Sequence, residues 1–224
     1  MSFKIEPFKN AIGASIVCDL KSIKAAEVDE TKKALDNYGF VCFRNQNLNP
    51  GEYLEFAKLL GKIKDYPMLK DLEGYKGITV VERKDKDKGK SYGEGWHTDS
   101  SYLKKTPRYT CLMGKVVDKN QGQTLFASQF ASYEALNEKT KDEIKDLVGI
   151  FSSAGPISVT RLERESERGT GKAKDFISEH PIVRNVKNKK ALYLSPGHTI
   201  AIKDFDEENS KNLLKFLFNH QTKK

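Results

Sequence analysis

Trp96-His97-Thr98-Asp99 places an imidazole and a carboxylate two residues apart. Read as the start of a strand, the stretch turns His97 and Asp99 to one side, because side chains i and i+2 share a face of a strand. One imidazole and one carboxylate converging on a face supply two of the three ligands in the facial triad that holds non-haem Fe(II). A histidine beside an aspartate is also a common hydrogen-bonded pair with no metal. The surrounding sequence therefore decides the reading.

Upstream, residues 12–19 read as a short strand and 22–38 as a helix stopped by Gly39. Phe40-Val41-Cys42-Phe43-Arg44 reads as a buried strand. Asn49-Pro50 pairs an N-cap with proline at the first helical position, and the helix it opens closes at Gly61. Ile78-Thr79-Val80-Val81 reads as a further strand. Arg83-Lys84-Asp85-Lys86-Asp87-Lys88-Gly89-Lys90 has almost no apolar content; it is a solvated connector or part of an active-site lid.

Downstream, 107–117 reads as a long strand, Asn120-Gln121-Gly122-Gln123 as a turn and Thr124-Leu125-Phe126 as a strand. Residues 132–147 read as a helix, 152–175 as an irregular insertion over the site, and Ala191-Leu192-Tyr193-Leu194 as a strand. Asp204 with Glu207 suits a capping box for a last helix carrying Leu213, Leu214, Leu217 and Phe218. Many strands with helices concentrated early and late predict an antiparallel β core with helices packed outside it.

Gly95-Trp96-His97-Thr98-Asp99-Ser100-Ser101-Tyr102, Pro107, Gly122-Gln123-Thr124-Leu125-Phe126 and Tyr133-Glu134-Ala135-Leu136 together resemble the TauD/TfdA family of Fe(II)- and 2-oxoglutarate-dependent dioxygenases. His180-Pro181-Ile182-Val183-Arg184, Ala191–Leu194 and the closing helix follow in the family's order, so the resemblance covers nearly all of residues 1–224, read as one domain. It implies an α+β, mainly β fold: a double-stranded β-helix (jelly-roll, clavaminate synthase-like) core with flanking helices. It implies Fe(II), with 2-oxoglutarate and O2 as cosubstrates. Carried over by position, His97 and Asp99 match iron ligands, and Thr124 matches the threonine whose hydroxyl bonds a 2-oxoglutarate carboxylate. The reaction implied couples decarboxylation of 2-oxoglutarate, giving succinate and CO2, to hydroxylation of a C–H bond.

The family continues past its closing helix into strands bearing a second histidine ligand and an arginine suited to the far carboxylate of 2-oxoglutarate. This sequence stops at Lys224, ahead of both, so a C-terminally truncated jelly-roll is expected. His180, His198 and His220 do not align with that histidine; His198 is the best of them as a pocket residue. Tyr66, with His198, is a candidate for the substrate side of the site. Arg161, Arg164 and Arg184 are candidates for gripping an anion. The family acts on sulfonates, sulfate esters and aryloxyacetates; Gly93 stands where taurine-specific relatives tend to carry asparagine, which points away from taurine. The alternatives are a truncated, catalytically impaired remnant that keeps the fold without a full iron triad, and a cupin-like binding domain.

Composition bounds the partners. Lysine and arginine number 39 against 31 acidic residues, a net charge of +8. The two signs are interspersed, without a basic tail or an aromatic nucleic-acid motif, so the charge suits a small anionic substrate and not nucleic acid. No apolar run reaches membrane-span length. Three dispersed cysteines (Cys18, Cys42 and Cys111) fit neither a disulfide framework nor a zinc cluster, and the first residues lack a signal-peptide core. A cytoplasmic protein is expected, with a homo-oligomer left open.

Overall fold

A computed structural model describes residues 2–9, 12–66, 69–84, 93–120, 122–158 and 175–223. Most of the charged 83–90 stretch, most of the 152–175 insertion, and with it Arg161 and Arg164, lie outside the described residues. The chain divides into two compact units, Met1–Val80 with Cys111–Phe126 and Val81–Thr110 with Ala127–Lys224.

In the first unit, β1 (Lys4–Pro7) pairs antiparallel with β2 (Ala14–Val17). A crossover containing α1 (Ala25–Tyr38) brings β3 (Val41–Phe43) in parallel beside β2. Helix α1 buries Val28, Thr31 and Ala34 at three-residue spacing, one stripe of a helix. It ends at Gly39, whose N–H reaches Leu35 O at 2.9 Å. Helix α2 (Pro50–Leu60) starts on Asn49, whose side chain accepts the Glu52 N–H while Glu52 reaches back to the Asn49 N–H. Ile16, Cys18, Leu20, Ala34, Leu48 and Phe56 form the core of this unit. A hairpin of β4 (Asp71–Leu72) and β5 (Tyr75–Thr79) completes it.

The second unit holds α3 (Gln129–Glu134), α4 (Glu138–Ile144), β6 (Val148–Ser152), β7 (Ile177–Pro181), β8 (Val183–Val186), β9 (Lys189–Leu192), β10 (Thr199–Ile202) and α5 (Glu207–Gln221). Strand β6 is central, antiparallel to β7 on one side and β10 on the other, and β8 and β9 form a hairpin. Helix α5 turns Ser210, Leu214, Leu217 and Gln221 inward at helical spacing. Its two leucines join Ile144, Ile182, Leu192 and Ile202 in the core. Among the described residues no helix is long and apolar enough to cross a membrane.

Several predicted elements are corrected. The described strands make two three-stranded sheets and two hairpins, none of which closes on itself. Residues 107–117 and 124–126 carry no strand; Leu112, Val116, Val117 and Leu125 are all more than half exposed. A strand exists only with a ladder partner, and none of the described residues pairs with these. The helix predicted over 132–147 is two helices, because Asn137 caps the second by accepting the Thr140 N–H at 2.8 Å. The strand predicted over 78–81 lies earlier, at Tyr75–Thr79, leaving Val80 and Val81 exposed. Strand β3 is half-buried along its length. The last helix is capped by Asp206, not Asp204, since the Asp206 side chain takes the Asn209 N–H at 2.9 Å.

Candidate metal centre

The second unit contains the 96–99 stretch, and it is not a strand: His97 and Thr98 are irregular, and Asp99 and Ser100 form a turn. Convergence of the two side chains is imposed another way. The Thr98 N–H donates to Ser195 Oγ at 3.0 Å, and the Thr98 hydroxyl donates to Leu194 O at 3.4 Å. Thr98 is thus fixed to the turn after β9, and its two neighbours project away together. Ser100, at φ 51, sits in the left-handed region that non-glycine residues rarely adopt.

His97 Nε2 lies 3.3 Å from Asp99 Oδ1. His97 Nδ1 lies 2.9 Å from Gly95 O. A carbonyl only accepts, so Nδ1 carries the hydrogen and Nε2 is the nitrogen free to bind a Lewis acid. Two donors bound to one ion at right angles, each through a bond of about 2.1 Å, sit about 3.0 Å apart. The separation found is close to that, so the pair suits two adjacent positions on one ion. The side chains are 27% and 47% exposed, so an ion from solvent reaches them.

The electrostatics agree with the donor set. The hydrogen bond from His97 holds the Asp99 carboxyl below its ordinary value against the opposing effect of burial, and the His97 charge, a Thr110 hydroxyl bond and the His198 charge add to it. The hydrogen bond to Asp99 raises His97 above its ordinary value, opposed by burial and helped by the Gly95 carbonyl and the Asp99 charge. A proton and a metal ion would therefore compete for the same position between Nε2 and Oδ1.

The floor of the site is close-packed. A Cβ on Gly197 would meet His97 Cβ and Ile157 Cβ at 3.0 Å, so the Gly197 backbone lies flat against the imidazole stem. A Cβ on Gly155 would come within 2.6 Å of Gly197 O and 2.9 Å of His198 Cα. His198 is buried, with its ring edge-on to Tyr102 at 4.9 Å and to His97 at 6.4 Å between centroids.

Of the sequence-predicted residues, His97, Asp99 and His198 are gathered here. Thr124 and Tyr66 belong to the first unit, Thr124 exposed on irregular chain and Tyr66 half-buried. His180 and His220 each turn Nε2 onto backbone carbonyls, Ser101 O and Leu103 O for His180 and Ser132 O for His220, so that nitrogen donates in both. Arg184 lies over the Tyr193 ring, 3.3 Å from its centroid. Thr110, Ser195 and Gly155 escaped the sequence reading, since nothing in their local pattern distinguishes them. Among the described residues no third His, Cys, Asp or Glu joins the His97–Asp99 pair.

The family model described as taurine catabolism dioxygenase TauD, TfdA family matches residues 4–224. The chain belongs to the TauD/TfdA family. It is 27% identical to an alpha-ketoglutarate-dependent sulfate ester dioxygenase of Pseudomonas putida, across all of this chain and 76% of that one. It is 28% identical to an alpha-ketoglutarate-dependent sulfonate dioxygenase of Saccharomyces cerevisiae, across 89% of this chain and 50% of that one. The crystal structure of AAD-2 in complex with Mn(II) and N-oxalylglycine matches with a TM-score of 0.81 at 26% identity, covering 100% of this TauD/TfdA chain and 83% of that one.

Proposed function

We propose that this chain is an Fe(II)- and 2-oxoglutarate-dependent dioxygenase that hydroxylates a small anionic substrate: a sulfonate, a sulfate ester or an organic acid. One observation carries the proposal. His97 Nε2 and Asp99 Oδ1 stand 3.3 Å apart, the first with its tautomer fixed by Gly95 and both open to solvent. The names of the relatives and the Mn(II)-bound structure support it. We read residues 1–224 as one domain because the family match runs through both units. We assign its strands to a double-stranded β-helix core, supported by the structural match over the whole chain. Three free cysteines suit a reducing cytoplasm.

In this reading His97 would bind iron as a neutral imidazole through Nε2, and Asp99 would bind it as a carboxylate that also accepts a hydrogen bond from Thr110. Bound Fe(II) supplies activation of O2 coupled to decarboxylation of 2-oxoglutarate. By their positions in the sequence, Thr124 is assigned to a carboxylate of that cosubstrate, and Tyr66 and His198 are assigned to the substrate side. The third iron ligand is left unassigned. The net charge of +8 favours the approach of anions.

The test is succinate formation from 2-oxoglutarate with Fe(II) in air, over a panel of alkanesulfonates, alkyl sulfates and aryloxyacetates. Substrate-dependent succinate that disappears in Asp99→Ala is expected. A folded protein producing no more succinate than Asp99→Ala on every class is instead the impaired remnant.

A further inference from the structure

His180 is a buried histidine with no place in the proposed chemistry. Its Nε2 faces three oxygens: Ser178 Oγ at 3.0 Å, Ser101 O at 3.0 Å and Leu103 O at 3.1 Å. Two are carbonyls, so Nε2 carries a hydrogen and is directed at them as a donor. Ser178 lies two residues earlier on β7 and sends its own hydroxyl to Ser101 O at 3.1 Å. Strand β7 thereby grips the turn that leaves Asp99, and it grips it by backbone oxygens, whatever side chains that turn carries.

That turn needs an external hold. Ser100 occupies the left-handed region at φ 51, and the turn's own bond is Leu103 N–H to Ser100 O at 3.0 Å. A residue in that region persists only where its surroundings over-determine it. On the upstream side Ser195 fixes Thr98. On the downstream side the hold comes from His180 and Ser178. Asp99 sits between the two anchor points, and a slip of the turn would swing Oδ1 away from His97 Nε2. The His180 ring is itself wedged edge-on against Phe151 at 5.2 Å and Tyr193 at 5.5 Å, so its direction is fixed by packing.

We propose that His180 is a positioning residue for the metal-binding pair: its Nε2–H holds the 101–103 turn so that Asp99 Oδ1 stays beside His97 Nε2. This rests on the reading of His97 and Asp99 as metal ligands.

The test titrates the full chain with Mn(II) alone, following free Mn(II) by electron paramagnetic resonance, and melts each protein in parallel. Wild type is compared with His180→Leu, which keeps the packing and removes the donor, and with His180→Gln, whose amide restores N–H donors at similar reach. Residues supporting a metal ligand typically change affinity by about 10- to 100-fold. His180→Leu should weaken Mn(II) binding about tenfold, and His180→Gln should recover most of the loss. A purely structural role would lower the melting temperature and leave Mn(II) affinity alone, which overturns the proposal. A His180→Gln protein as weak as His180→Leu overturns it too. Should His180→Leu not fold, His180→Phe takes its place, a ring of similar size without the donor: weakened binding supports the proposal and unchanged binding overturns it. Wild type that folds but binds no Mn(II) brings down the metal-site reading itself, before any variant is compared.

Discussion

Gly155→Ala tests how tightly the floor of the site is packed. The new methyl carbon would lie 2.6 Å from Gly197 O, 2.9 Å from His198 Cα and 3.1 Å from Ser152 O. Ordinary contact begins near 3.4 Å, so the worst approach is short by about 0.8 Å. All three obstacles are backbone atoms, which no rotamer change relieves. Overpacking of this kind costs about 1–3 kcal/mol. Taken at about 2 kcal/mol, and at roughly 3 °C per kcal/mol for a chain of this size, the melting temperature should fall by about 6 °C. Gly197→Ala is the matched control, because the three atoms nearest its Cβ are side-chain carbons of His97 and Ile157 at 3.0–3.2 Å. Its thermal cost should be smaller, while its effect on Mn(II) binding should be direct, since it pushes on the His97 stem. Thermal denaturation by circular dichroism measures both. A Gly155→Ala protein melting within about 1 °C of wild type, or costing less than Gly197→Ala, would refute the packing argument.

Burial, with the Arg184 charge beside it, keeps His180 below its ordinary value, so the fold holds it neutral. The unfolded chain then binds more protons below about pH 6.5, so the part of the stability tied to His180 is fully present above that pH and is lost as pH falls from it through the lower folded value. The change in urea midpoint from pH 5 to pH 8 should be more positive in wild type than in His180→Gln, the comparison cancelling the opposite contribution of His97, whose raised value is common to both; parallel curves would remove His180 as the cause. With Thr124 in its proposed role, Thr124→Ala would delete one hydrogen bond to a charged group, about 1.5–3 kcal/mol, so 2-oxoglutarate affinity should fall at least tenfold with Mn(II) affinity unchanged. Calorimetric titration reads both, and unchanged cosubstrate binding would reassign Thr124. Asn49→Ala removes the cap that accepts the Glu52 N–H at 2.9 Å and should cost about 1 kcal/mol, visible as a lower urea midpoint; no shift would mean that α2 starts without its cap.

Legibility in the sequence followed the range of the interactions. Helices α1 and α2 were readable because Gly39, Asn49 and Pro50 act within a turn or two of themselves. Asn137 is an equally local cap, but Tyr133, Leu136 and Ile144 at helical spacing on both sides of it conceal it. Strand β7 was hidden for a different reason. It turns Ser178 and His180 inward and leaves Ile177 66% exposed, inverting the alternation that marks a strand. The two inward residues face the Ser101 and Leu103 carbonyls, a contact 77 to 79 residues away that no local pattern contains. The His97–Asp99 pair was legible from its spacing. The strand expected to bring the two together was not the cause; Ser195, far along the chain, is what fixes Thr98.

The central claim is that His97 and Asp99 grip one ferrous-type ion together. Mn(II) titration of wild type, His97→Ala and Asp99→Ala, each shown to be folded, addresses it most directly. One ion bound per wild-type chain and none held by either variant is the expected result. Binding that survives both substitutions, or a folded wild type that takes up no ion, would contradict the claim.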